Sequence, residues 1–321
     1  MKAIVQDVYG SAEVLSLREV ARPEVGANEV VIRVVAAGVD RGAWHLMTGV
    51  PYLMRLFGVG LRAPKQRVPG TNVAGSVDAV GKDVTRFQTG DDVYGTCKGS
   101  FAEYASGRED RLAPKPANVT FEQVAGVAHG GTAALQAVRD HGKVEAGQNV
   151  LIVGASGAVG SMAVQLAKAF GAEVTGVCRT SKVDMVKALG ADHVIDYTRD
   201  DFDDGTRYDV ILDIGGSSPL SRLRRALTRK GILVIVGGEG AGSWTGVRRQ
   251  LRAVALSPFV GQKLRTFVAN QSSPDLLVLN DSIQSGKITP MVDRTFPLAD
   301  TPDAIRYLET GEARGLIVIT M

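Results

Sequence analysis

Residues 150–160 read Val150-Leu151-Ile152-Val153-Gly154-Ala155-Ser156-Gly157-Ala158-Val159-Gly160. An apolar run stops at Gly154. Glycines recur at Gly157 and Gly160, and a helix-like stretch, Ser161 to Phe170, follows. Strand, tight turn and helix N-terminus in that order make an anion cradle. The free amides of the helix point at the ligand, and glycine lets the backbone come close to a pyrophosphate. The spacing is Gly-x-x-Gly-x-x-Gly, not the commoner Gly-x-Gly-x-x-Gly, and glycine-rich turns of this kind also occur where nothing binds.

The next segment sharpens the reading. Glu173 to Cys178 reads as a second strand and completes a βαβ unit. A site for an unphosphorylated ribose places Asp or Glu about 20 residues beyond the glycines. That place here holds Cys178-Arg179-Thr180-Ser181-Lys182, with two cations, two hydroxyls and no acid. A 2′-phosphate attracts charge-assisted donors and repels carboxylates, so this chemistry points to NADP(H). The bland alternative is that Arg179 and Lys182 open a solvated helix.

Composition sets the bounds. A chain of 321 residues suggests about two domains, and 45% apolar residues supply ample core. The net charge of +3 is dispersed, so no nucleic-acid groove is expected. The densest basic stretches, Arg222 to Lys230 and Arg248 to Arg252, read as solvated helix faces. Two cysteines, Cys97 and Cys178, cannot form a disulfide framework. The start, Met1-Lys2-Ala3-Ile4-Val5, lacks a signal-peptide pattern, and no apolar run is long enough to span a bilayer. A cytoplasmic protein without membrane association is expected.

Short strands and turns dominate the first 120 or so residues: Ala3 to Val8, Val30 to Ala37, Val73 to Val80 and Asp92 to Tyr94. Trp44 to Leu61 is a looser apolar stretch with the makings of a flap. Helical patterns begin at Phe121. Apolar strands then alternate with helices, at Val150–Val153, Glu173–Cys178, His193–Asp196, Asp209–Asp213 and Ile232–Gly237, which predicts a parallel sheet covered on both faces. The tail reads as helices over Pro274 to Ser285 and Thr301 to Thr310, then a strand, Gly315 to Thr320, that rejoins the first domain. The expected division is 1–122 with 271–321 for one domain and 123–270 for the other.

Several motifs occur together in a fixed order. They are Ala36-Ala37-Gly38-Val39-Asp40 with Trp44 and Thr48-Gly49; Pro69-Gly70-Thr71-Asn72-Val73-Ala74-Gly75; Val80-Gly81; Gly90-Asp91-Asp92-Val93-Tyr94-Gly95; Gly99-Ser100-Phe101-Ala102-Glu103-Tyr104; the glycine turn; and Leu189-Gly190-Ala191-Asp192. Through them essentially the whole chain resembles the zinc-independent medium-chain dehydrogenase/reductases of the quinone oxidoreductase type. The resemblance implies an α/β protein with a GroES-like β-rich catalytic domain plus a Rossmann cofactor domain on a doubly wound parallel sheet. It also implies an oligomer, a homodimer or a homotetramer, with the homodimer expected.

The resemblance assigns the pyrophosphate turn to Gly154, Ser156, Gly157, Ala158, Val159 and Gly160. It gives the 2′-phosphate to Arg179, Thr180 and Lys182, the adenine ribose region to Tyr197, and the nicotinamide region to Thr132. Gly215, with Ile214 and Gly216, and Gly237, with Gly238, follow strands whose carboxyl ends face ligand in open α/β sheets. Zinc-dependent relatives carry Cys in the motif matched by Gly38-Val39-Asp40, Gly-His-Glu at Gly70-Thr71-Asn72, and Cys near Ala128 or His129. A catalytic zinc needs three good ligands and an open position, so no metal is expected here. His129 reads as a helix-start or cleft-lining residue. Two departures stand out: Asn72 replaces an acid common in relatives, and Leu316 replaces a common lysine after Gly315.

The implied activity is hydride transfer from NADPH to a small electrophile, a quinone or an α,β-unsaturated carbonyl. A conjugated acceptor spreads the developing charge, so hydrogen-bond donors suffice where a simple ketone would need stronger activation. Tyr52, Asn72 and Asp40 are the candidate acceptor contacts, although Asp40 also suits a turn cap. Cys97 reads as structural. The alternatives are a reductase for a specific enoyl thioester or aldehyde, and a non-catalytic NADPH-binding sensor.

Overall fold

Alternating burial along the first third of the chain produces strands, not helices. The computed structural model describes residues 1–237 and 247–321; Gly238 lies outside the described residues. In chain order come β1 (Lys2–Val5), β2 (Ser16–Glu19), β3 (Glu29–Val39), helix α1 (Arg41–Thr48), β4 (Asn72–Val80), β5 (Asp92–Thr96), β6 (Tyr104–Arg108) and β7 (Leu112–Pro114). Helices α2 (Phe121–Ala125) and α3 (Val127–Gln136) follow. Thr120 opens α2 with a full capping box to Gln123.

The second half alternates as the sequence suggests: β8 (Asn149–Val153), α4 (Ala158–Ala169), β9 (Glu173–Cys178), α5 (Val183–Ala188), β10 (His193–Asp196), β11 (Tyr208–Asp213), α6 (Leu220–Ala226), β12 (Leu227–Ile235), α7 (Arg248–Leu256) and β13 (Lys263–Thr266). The tail supplies α8 (Ser273–Gln284), β14 (Val292–Pro297), α9 (Thr301–Thr310) and β15 (Leu316–Thr320).

Two compact units result, Met1–Thr132 with Gln271–Met321, and Ala133–Asn270. In the first, a seven-stranded sheet runs β14-β15-β3-β4-β5-β7, with β6 also paired to β3. Strand β15 lies parallel to β14 and antiparallel to β3, so the tail does return to this unit. Ile32, Val73, Val93, Phe101 and Ile317 are among its buried core residues.

The second unit holds six strands in the order β10-β9-β8-β11-β12-β13, every pair parallel. Sequence order reverses between β8 and β11. This is the switch point where such sheets bind ligands beyond their carboxyl ends. Among the described residues no helix is long and apolar enough to cross a membrane.

Three expectations need correcting. Trp44 to Leu61 is not loose throughout: α1, capped by Asp40, covers its start, and a 3₁₀ segment spans Tyr52–Phe57. Arg222 to Lys230 is not one helix face, because α6 ends at Ala226 and β12 carries Arg229 and Lys230. Arg249, read as solvated, is largely buried in an ion pair.

Candidate active site

Each unit brings together its own part of the predicted site. In the second unit, Gly154 has φ +88, and a Cβ there would meet the amide nitrogen of Gly215 at 2.7 Å. A Cβ on Gly160 would meet the Gly154 carbonyl at 2.1 Å. Both positions therefore require glycine. Gly157 differs: a Cβ there would meet nothing within 4 Å. Gly157 is also the N-cap of α4, with no capping side chain and no acid in the first turn. The first turn of α4, from Ala158, thus carries no acid and opens beside an unobstructed N-cap, which suits an anion. The Gly154 and Ala155 amides both donate to the Val177 carbonyl at 3.1 Å, pinning the turn to β9. Helix α4 starts at Ala158, ahead of the expected Ser161, because the turn feeds directly into it.

Strands β9 and β10 pair with Cys178 opposite Asp196, which brings the residues after both strands together. Arg179 Nε donates to the Tyr197 hydroxyl at 3.3 Å. Thr180 donates to Asp196 at 2.5 Å. Lys182 is buried. Asp196, which ends β10 in this corner, also accepts from the amide and hydroxyl of Thr198, and these hydrogen bonds, the one from Thr180 foremost, hold its carboxyl below the usual range. Arg179, Thr180, Lys182 and Tyr197 therefore form one corner, and the open glycine turn lies at the end of the neighbouring β8–β9 pair. These residues fit a 2′-phosphorylated dinucleotide.

Asp213 ends β11 and is wholly buried. Arg249 Nη1 pairs with its Oδ2 at 2.5 Å, and the guanidinium also donates to the carbonyls of Ser218 and Gly237. The Gly216 amide donates to Asp213 Oδ1 at 3.3 Å. Arg249 thus ties the loop after β11 to the end of β12, where Gly215 and Gly237 lie. Burial pushes the Asp213 carboxyl up, and Arg249 opposes that. Sequence reasoning missed this pair. The available signal was an aspartate ending an otherwise apolar strand, since a buried carboxylate requires a partner.

In the first unit, Asp40 joins β3 to α1. Its Oδ1 accepts from the Ala43 amide at 2.7 Å, the cap that the turn reading anticipated. Its Oδ2 accepts from Asn72 Nδ2 at 2.7 Å and meets His129 Nδ1 at 2.8 Å. Asn72 Oδ1 accepts in turn from the His129 amide at 3.0 Å. The β3–β4 register, Gly38 opposite Asn72, brings these side chains together. Asp40 and Asn72, two of the candidate acceptor contacts, are bonded to each other, to α1 and to α3, and Asn72 is wholly buried.

His129 Nε2 is left without a hydrogen bond among the described residues. Burial opposes charge on His129, but the Asp40 carboxylate outweighs it and holds the imidazole above its ordinary pKa. Burial likewise opposes charge on Asp40, and His129, the Ala43 amide and Asn72 overcome it, so its carboxyl sits low. One turn along α3, Thr132 is wholly buried and its hydroxyl has no partner among the described residues. Tyr52 is outside this network, exposed in the 3₁₀ segment with Arg55 over its ring at 4.8 Å. Burial pushes the Cys97 thiol well up, in keeping with a structural role. Among the described residues no three His, Cys, Asp or Glu side chains lie close enough together to hold a metal ion.

A parallel sheet with an open glycine turn at its switch point, in one chain with a β-rich sheet unit, defines a two-domain dehydrogenase fold. Residues 26–141 match the alcohol dehydrogenase GroES-like domain, and residues 189–319 match the zinc-binding dehydrogenase family. The chain is 34% identical over 339 residues to the chloroplastic NADPH-dependent alkenal/one oxidoreductase of Arabidopsis thaliana, an alignment that covers 99% of this chain and 79% of that protein. It is 33% identical over 336 residues to 2-methylene-furan-3-one reductase of Solanum lycopersicum, with the same coverages. The quinone oxidoreductase structure from Coxiella burnetii superposes with a TM-score of 0.88 at 26% identity, covering 100% of this chain and 99% of that one. The chain belongs to the quinone oxidoreductase-like medium-chain dehydrogenase/reductase family.

Proposed function

We propose that this protein is an NADPH-dependent oxidoreductase that reduces quinones or α,β-unsaturated carbonyls without zinc. The observation that carries the reading is the open, acid-free turn at Gly157 together with the Arg179, Thr180, Lys182 and Tyr197 corner. The names of the relatives, an NADPH-dependent alkenal/one oxidoreductase and a quinone oxidoreductase, support the coenzyme and the acceptor class. The first-turn amides of α4 receive the pyrophosphate, and Arg179 and Lys182 receive the 2′-phosphate. Thr132 offers its unpartnered hydroxyl to the nicotinamide end. When bound, NADPH supplies the hydride. The zinc-free part of the reading is supported by the donor set: where zinc relatives keep ligands, this chain has Asp40, Asn72 and His129 bonded to one another. The reading includes a cytoplasmic homodimer that binds small electrophiles and no nucleic acid.

The test compares dissociation constants for NADPH and NADH by fluorescence, in the parent and in Arg179→Ala. Losing one charge-assisted contact costs about 1.5–3 kcal/mol, so NADPH should weaken about ten- to a hundredfold while NADH stays unchanged. Equal affinities for the two coenzymes in the parent protein would overturn the reading. An acceptor panel of quinones, short enones, enoyl thioesters and aldehydes then fixes the substrate class.

A further inference from the structure

We propose that His129 is the proton donor to the carbonyl oxygen of the acceptor, with Asp40 and Asn72 as its positioning residues; the assignment rests on the reductase reading above. Three features of the geometry carry it. First, His129 is held at two points: its ring Nδ1 by Asp40 at 2.8 Å, and its backbone amide by Asn72 at 3.0 Å. A carboxylate at Nδ1 orients the ring, commits that nitrogen's proton, and leaves Nε2 as the exchanging position. Second, the His129 side chain is 33% exposed against 19% for Asp40, so the anchor is the more buried partner and the ring's other edge is reachable. Third, His129 and Thr132 are three apart on α3 and share a face, and the buried Thr132 hydroxyl has no partner among the described residues. A buried hydroxyl left unpaired one turn from a reachable Nε2 points to a non-protein partner along that face.

Hydride and its electron pair add to the β-carbon of an enone, the C=C pair shifts toward the carbonyl carbon, and the C=O pair moves onto oxygen. The Nε2–H bond of His129 breaks, its proton joins that oxygen to give the enol, and its electron pair stays on the now neutral ring. The enol tautomerises to the saturated ketone, and His129 recovers a proton from water. One hydride and one proton have been added, with NADPH as the reductant. The cavity of about 150 Å³ beside His129 is also lined by Glu29, Lys98, Arg108, Arg111 and the Cys97 thiol. Lys98 is paired with Glu29 at 2.9 Å.

The experiment uses His129→Gln and Asp40→Asn in the full chain. In the parent, NMR titration of the His129 ring should give a pKa above the ordinary histidine value, and Asp40→Asn should lower it. With an enone, kcat should fall as pH rises through that pKa. His129→Gln should abolish this limb and lower kcat about 10²- to 10⁴-fold, with NADPH affinity within about twofold of the parent. If His129→Gln does not fold, Asp40→Asn, in which Asn keeps a cap for Ala43, carries the test through a joint downward shift of the NMR pKa and the kinetic limb. A folded His129→Gln with parental kcat and pH profile overturns the assignment alone. A parent protein that does not bind NADPH overturns the reductase reading and the assignment with it.

Discussion

The two units each bury one carboxylate–cation pair near their functional residues, and the pairs behave differently. Asp213–Arg249 joins a fully buried carboxylate to a guanidinium whose side chain is 15% exposed, and the guanidinium's charge is permanent. Asp40–His129 joins a carboxylate to an imidazole with one edge reachable, and its charge can be gained or lost near neutral pH. The first pair can only hold: Arg249 also grips the Ser218 and Gly237 carbonyls. The second can change state while its anchor stays put. Similar distances, 2.5 and 2.8 Å, therefore do not imply similar roles; the cation's identity and the access of its outer edge decide.

The largest effect is expected at Arg249. Arg249→Met leaves the buried Asp213 carboxyl without its cation while the Gly216 amide still donates to it, which costs about 3–5 kcal/mol. Urea unfolding should show that loss. Adding Asp213→Asn to it should recover part, because the uncompensated charge is then gone. A loss under about 1 kcal/mol for Arg249→Met would show that this pair does not tie the strand ends.

The Asp40–His129 pair is separated from it by pH. The Asp40 carboxyl is held below 3.8, so its contribution is present above the unfolded carboxylate value and is lost as pH falls through the lower folded one. His129 is held above 6.5, so its contribution is complete below that value and is lost as pH rises through the higher folded one. The stability gap between the parent and Asp40→Asn should therefore be widest between about pH 4 and 6.5 and narrow on both sides. Its maximum should be about 1–2 kcal/mol, since solvent screens a ring one-third exposed. Urea midpoints across a pH series measure it, and a gap that does not change with pH would contradict the pairing.

Both pairs also mark where reading the sequence stops. The parallel strands, the glycine turn and the return of β15 are legible because their signals are local: apolar runs, glycine spacing, alternation. β9, β10 and α9 coincide with the segments expected, and β8 and β11 begin one residue earlier. The cationic corner is legible for a similar reason, since Arg179, Thr180 and Lys182 directly follow a recognisable strand. Asp40 and His129 lie 89 residues apart, and nothing near either one announces the other. Asp40 does reveal its local role, the helix cap, but its second oxygen is spent on partners that only the β3–β4 register and α3 deliver. Arg249 sits in a run of basic residues that elsewhere would face water, and only the end of β11 beneath it turns one of them inward.

A third pair, Lys168–Asp192, is the most exposed of the three. Lys168 Nζ meets both oxygens of Asp192, at 2.8 and 2.7 Å, so its contact is as close as the other two. About a third of each side chain is exposed, and Asp192 keeps the Val174 amide as a second partner if the lysine is lost. Water can therefore replace most of what Lys168 gives. Lys168→Met should cost only about 0.5 kcal/mol, and the cost should shrink further at about 1 M salt, where exposed charges are screened within a few ångströms. Denaturant midpoints at low and high salt test this. If Lys168→Met cost as much as Arg249→Met and ignored salt, burial would not be what separates the three pairs, and the contrast between a tether and a titrating dyad would have to rest on the chemistry of the cation alone.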